Sequence, residues 1–216
     1  MELVPPLYVI IDVWSRFVVG WLVAPRESDR LAHDLIAASA DAENIQPEQL
    51  TLHADRGSSM TSRTVAQLLA DLDVTRSHSR PHVSNDNPFS ESQFETLKNT
   101  PRFPDRFASL AHARTFVDEF FEHYNHHHRH SGIGYHTPAS VHLGHHTAIR
   151  AHRQAVLDHA YATAPPLLPA THRPTRPRHR LDQPARTEFV SFRLTGPGAE
   201  SAVTPPCRSR QKGTTE

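Results

Sequence analysis

Cysteine is almost absent from the 216-residue sequence, where Cys207 stands alone. That scarcity excludes a disulfide framework and a cysteine-rich zinc site, and it suits a reducing, cytoplasmic setting. Lysine is nearly as rare, with only Lys98 and Lys212 among 23 basic residues. Long apolar runs are missing too. The opening Leu7–Ala24 stretch is broken by Asp12, Ser15 and Arg16, falls short of a membrane span and has no basic leader of the signal-peptide kind. Net charge is zero, 23 Lys+Arg against 23 Asp+Glu. This balance does not exclude a nucleic-acid partner, because it sums two unlike parts. Residues 165–216 carry nine basic and four acidic side chains, and residues 1–164 carry fourteen and nineteen.

What is present reads as an α/β pattern. Leu7–Val13 is a continuous β-branched run, and Phe17–Val23 is a second one. The short polar link Trp14-Ser15-Arg16 joins them as a β-hairpin. Ser28 or Asp29 caps a helix running to about Glu43, with Leu31, Leu35, Ile36 and Ala40 at helical spacing. A strand over Gln49–Ala54 follows, then a helix over Ser62–Leu72 and a short strand over Val74–Ser77. Pro81 and Pro88 keep residues 79–90 in a loop. Helices are expected from about Asn87–Ser90 to Lys98, over 109–125 with Phe116, Phe120 and Phe121 as the apolar face, after Pro138, and over 146–162. Nine of the 18 prolines fall in the last 52 residues, so residues 165–216 are expected to form a basic, disordered tail.

Two acids stand out. Asp55 closes a predicted strand in Leu-Thr-Leu-His-Ala-Asp-Arg-Gly-Ser, and Glu91 opens a predicted helix in Asn-Asp-Asn-Pro-Phe-Ser-Glu-Ser-Gln-Phe, with 35 residues between them. Strand ends and helix starts are where α/β folds gather reactive groups. Paired carboxylates there suit Mg²⁺, which prefers oxygen ligands, and two such ions can drive phosphoryl transfer. Lys98 follows Glu91 by two helical turns on the same face, where a cation can meet a DNA phosphate.

The flanking words are long and specific. They are His53-Ala-Asp-Arg-Gly-Ser-Ser59, then Ser79-Arg-Pro-His-Val-Ser-Asn-Asp-Asn-Pro-Phe-Ser-Glu-Ser-Gln-Phe-Glu-Thr-Leu-Lys98, and Tyr124-Asn125 with Arg129-His-Ser-Gly-Ile-Gly134. Across residues 7–162 they resemble the integrase-type catalytic core of bacterial insertion-sequence transposases, the DDE superfamily that includes retroviral integrases. The resemblance implies a ribonuclease-H-like fold, a mixed central sheet flanked by helices. It also implies a two-ion Mg²⁺ site, and DNA as partner at transposon ends and target. Asp55 and Glu91 match the family's second and third acids. Arg80, Asn85, Asn87 and Lys98 are the expected DNA contacts. Self-association, or association with a full-length transposase, and a bacterial cytoplasmic, nucleoid-associated location follow from the same resemblance.

The family's first acid lies on a strand upstream of the Tyr8-Val-Ile-Ile-Asp-Val-Trp-Ser-Arg16 segment. Only Met1–Leu7 precedes that segment, without the Trp-x-x-Asp word. The expectation is a core over 1–145 that lacks its first strand, a helix over 146–164 and the tail over 165–216. Such a core has two unpaired inner edges and a metal site short of one ligand, and is catalytically inactive. The alternative reading is a non-catalytic DNA-binding or transposase-inhibiting fragment. Asp12, on the second strand, is expected to bind backbone donors at the hairpin, and Trp14 and Trp21 to pack the hairpin on the core. His53 and the loop asparagines each have a structural reading beside the functional one: strand-end packing for His53 and turn formation for Asn85 and Asn87. The histidine-rich run His123–His130 lacks a nearby cysteine and a His-Glu-x-x-His pattern. It reads as a DNA-facing segment that turns cationic at lower pH rather than as a zinc site.

Overall fold

The computed structural model describes residues 5–46, 50–54, 62–78, 88–163 and 187–193. Its elements are β1 (Pro6–Asp12), β2 (Val18–Val23), α1 (Asp29–Ala42), β3 (Thr51–Ala54), α2 (Arg63–Asp71) and β4 (Thr75–His78). After them come α3 (Pro88–Lys98), α4 (Leu110–His126), a 3-10 turn (Ser131–Ile133), α5 (Pro138–His142), α6 (His146–Thr163) and β5 (Thr187–Arg193). Local chemistry sets several of the helix starts. Ser62 Oγ accepts from Val65 N–H, Ser109 Oγ from His112 N–H, and Thr137 Oγ1 from Ser140 N–H ahead of Pro138. Each cap satisfies a backbone donor that the first turn leaves open.

The sheet has the order β2-β1-β5-β3-β4. β1 and β2 form the expected antiparallel hairpin, with a register irregularity between Ile10 and Ile11. β3 and β4 run parallel. β1 is buried along its whole length, and its alternating side chains feed two cores. Leu7, Val9 and Ile11 join Phe94, Leu97, Val117, Phe121 and Tyr124, on the side of α3 and α4. Tyr8 and Ile10 join Ala32, Ile36, Leu52, Val65 and Leu69, on the side of α1 and α2. A strand covered on both faces must be apolar throughout, which is why Leu7–Ile11 reads as an uninterrupted run.

β5 corrects the sequence reading of the tail. Residues 165–216 are not without structure throughout, because Thr187–Arg193 forms a strand in the middle of the sheet. It runs antiparallel to β1 from Pro6↔Arg193 to Asp12↔Thr187, and parallel to β3 through Leu52↔Thr187, His53↔Glu188 and Ala54↔Phe189. The unpaired inner edges expected from the sequence are therefore paired. The physical reason is local. Proline cannot donate to a ladder, and residues 185–196, between Pro184 and Pro197, are free of it and include Phe189, Val190 and Phe192. Two edges with open N–H and C=O groups provide the ladder for such a segment.

The buried stripe of α4 also differs from the expected one. Ala113, Val117, Phe121 and Tyr124 are buried, while Phe116 and Phe120 lie at its flank. At the end of that stripe Asn125 acts as a backbone clamp. Its Oδ1 accepts from Val18 N–H at 2.9 Å and its Nδ2 donates to Val18 O at 3.0 Å. β2 is an outer strand, so the two bonds satisfy groups that a neighbouring strand would otherwise take. Asn125→Ala leaves both groups buried without a partner and is expected to cost about 2–3 kcal/mol. A urea-unfolding series checks this, and a loss below about 0.5 kcal/mol would contradict the clamp.

Candidate active site

Helix α3 positions one of the two singled-out acids. Phe94 and Leu97 are buried against the sheet face formed by Leu7, Val9 and Ile11. Anchoring that edge turns Glu91, in the first turn, out to solvent. Among the described residues Glu91 has no hydrogen-bond or ion-pair partner. A carboxylate at this end of a helix sits favourably against the macrodipole, and Lys98 in the last turn complements the other end. Lys98 is half-buried, two turns on from Glu91 as the spacing predicts.

Strand β3 ends at Ala54, and Asp55 is the next residue in sequence. Asp55, Arg80, Asn85 and Asn87 lie outside the described residues. His53 is half-buried in β3, at ladder positions opposite Ser77 of β4 and Glu188 of β5. No group of three or more His, Cys, Asp or Glu side chains placed to hold a metal ion occurs among the described residues.

Asp12 has the structural task expected of it. Its Oδ1 accepts from Trp14 N–H at 3.0 Å, and its Oδ2 accepts from Ser15 N–H at 3.3 Å and from Ser15 Oγ. The turn it organises holds Arg16 at φ 67° and stacks the Arg16 guanidinium 3.8 Å from the centre of the Phe89 ring, just ahead of Glu91. This cation–π contact ties the hairpin to the start of α3. Trp21 packs on the α4 core as expected, and its Nε1 donates to Asp118 at 2.7 Å.

Sequence reasoning missed what lies beside Asp12. His142 of α5 stands between two carboxylates, with Nδ1 3.3 Å from Asp12 and Nε2 2.9 Å from Glu43 at the end of α1. Its ring stacks on Phe17 with centroids 4.4 Å apart. The three groups rim an apolar cavity of about 430 Å³ that Ile10, Ile36, Leu52 and Leu69 help to line. The Asp12 hydrogen bond, with Glu43 assisting against burial, lifts His142 above the usual imidazole range. Burial pushes Asp12 upward, but the bonds from His142, Ser15 and Trp14 outweigh it and hold Asp12 low. One histidine among 18 carries no sequence signal for such a clamp.

Two rings of the histidine-rich run, His128 and His130, differ from the expected cationic character. Burial, then the Arg16 and His128 charges, depresses His130 to about 4, and burial with His123 lowers His128. These two rings therefore stay neutral where an exposed histidine would charge. His130 instead shapes the loop. Its Nδ1 accepts from Gly132 N–H at 3.0 Å, its backbone pairs with His136, and Arg129 donates to Tyr135 O at 3.4 Å.

The clamp makes stability depend on pH. His142, held above its ordinary 6.5, contributes fully below that pH, and the contribution is lost as pH rises through its folded value. Asp12, held below its ordinary 3.8, contributes above that pH and loses its contribution as pH falls through its folded value. Both are in place from about pH 4 to 6.5. His142→Gln is therefore expected to destabilise more at about pH 5.5 than at about pH 9. Unfolding midpoints for both chains at each pH check this, and an equal loss at both would contradict it.

Two family models, each described as an integrase core domain, match residues 4–84 and 72–138. The chain is 35% identical over 133 residues to the transposase for insertion sequence element IS904 of Lactococcus lactis subsp. lactis (strain IL1403), covering 61% of this chain and 52% of that protein. It is 33% identical over 129 residues to transposase InsF for insertion sequence IS3A of Escherichia coli (strain K12), covering 59% and 44%. The chain thus spans about half the length of the curated relatives it matches. Among solved structures, the catalytic core domain of BIV integrase is similar at 21% identity and a TM-score of 0.47, over 66% of this chain and 89% of that one. Residues 4–138 form an integrase core, and the chain belongs to the integrase core family together with the insertion-sequence transposases.

Proposed function

We propose that the chain serves DNA transposition as a core fragment of the kind that acts on DNA strands by phosphoryl transfer, inactive by itself. The observation that carries this reading is the placement of Glu91. It is an exposed carboxylate without a partner among the described residues, on a helix fixed to the sheet by Phe94 and Leu97. Asp55 follows β3 directly in sequence. The donor set fits a hard divalent cation, because both side chains offer carboxylate oxygens. Asp55 and Glu91 are the residues that would hold Mg²⁺, and the bound ion would stabilise charge on the attacking and leaving oxygens. Lys98, Arg80, Asn85 and Asn87 supply DNA contacts, the cations to phosphate and the asparagines to the strand beside the acids.

The 216-residue chain by itself offers two acids of the family's three. It is expected to bind divalent metal weakly and to leave DNA uncut unless a third carboxylate is supplied from another segment. A second reading is a non-catalytic partner that associates with a complete transposase. It is favoured by α6, which buries none of its side chains and exposes Val156, Leu157 and Tyr161. No helix among the described residues is long and apolar enough to cross a membrane.

Purified chain titrated with Mn²⁺, with the free ion followed by electron paramagnetic resonance, tests the site. Asp55→Asn and Glu91→Gln are each expected to weaken binding at least about tenfold. Unchanged binding in both variants would contradict the assignment. With labelled duplex DNA, Lys98→Ala is expected to weaken binding across sequences and to lower the salt slope by about 1. In the same mixtures strand cleavage is expected to stay at background. Metal-dependent cutting abolished by Asp55→Ala would overturn the two-acid reading.

A further inference from the structure

We propose that the slot between β1 and β3 is a strand-binding site. Its ligand is the chain's own segment Thr187–Arg193, held by ladder pairing rather than by its covalent connection and exchangeable with a free peptide of that sequence. The inference does not depend on the catalytic reading.

Three observations support it. First, β5 is last in sequence yet central in the sheet, and residues 164–186 separate it from the end of α6. Six prolines lie in that connection, at 165, 166, 169, 174, 177 and 184. Second, β5 is paired on both sides. It matches β1 antiparallel along its whole length and β3 in parallel through Thr187, Glu188 and Phe189. Third, without β5 the sheet falls into two separate two-stranded pieces, β2-β1 and β3-β4. Each piece packs on helices, and β5 supplies the ladder that joins them, so the strand and its slot stabilise each other. Covalent linkage to the rest of the chain raises the strand's effective concentration at the slot. The ladder itself supplies the recognition. A ligand for the slot is thus an extended segment free of proline, paired through its backbone to both strands.

The test uses the full chain with a protease site placed between Thr175 and Arg176. After cutting, the C-terminal piece is expected to co-elute with the rest, and the melting transition to stay close to that of the uncut chain. A fluorescent peptide of residues 185–195 in excess is then expected to displace it, saturating at one per chain. The same peptide carrying Val190→Pro is expected to bind at least about tenfold more weakly. Separation of the pieces on cutting, whether the remainder stays folded or unfolds, would overturn the proposal. So would a retained piece that the peptide never replaces, or equal binding of the proline peptide.

Discussion

The sheet depends on the double-sided pairing of β5. β1 feeds both apolar cores and β3 feeds one of them, and neither strand pairs directly with the other. The ladder through Thr187–Arg193 fixes their relative register, and with it the height of Ala54 against Ile10. Whatever follows Ala54 in sequence, Asp55 first, starts from a position set by that ladder. A strand from the far end of the chain thus determines where the best-marked acid of the sequence begins its reach. Parallel and antiparallel ladders differ in hydrogen-bond spacing, and β5 meets one of each.

A second tier of contacts holds the hairpin and helices around this sheet. Asn125 clamps Val18 from α4, Arg16 stacks on Phe89 ahead of Glu91, and His142 bridges Asp12 and Glu43 from α5. These contacts join elements distant in sequence. They give Tyr124-Asn125 and Arg129–Gly134, the last of the family words, an architectural meaning. Asn125 holds an edge strand, His130 shapes a turn, and Tyr124 is buried with a hydroxyl pushed above its ordinary range by burial. Catalytic chemistry need not be sought in them.

Much of the frame was legible because periodicity and punctuation are local. The apolar run of β1, the apolar spacing of α2 and Pro138 at a helix start each act within a few residues, and their elements form as expected. The tail misled because proline content was averaged over 52 residues, which hid a proline-free window wide enough for one strand. The buried stripe of α4 was misplaced because three phenylalanines outweighed Ala113 and Val117, although geometry places the smaller residues nearest the sheet. At the candidate site, the exposure of Glu91 and its two-turn spacing to Lys98 follow from helix geometry alone. The His142 clamp was not legible, because its three members come from β1, α1 and α5, and only the folded chain brings them together.

The most direct test of this account is native-state amide hydrogen exchange along β5. If the strand joins the two halves of the sheet, the amides of Glu188, Phe189 and Val190 exchange as slowly as those of Val9 and Ile10 in β1, with opening free energies near that of global unfolding. Fast exchange at 188–190 beside protected amides in β1 and β3 would show that the sheet holds together without its central strand.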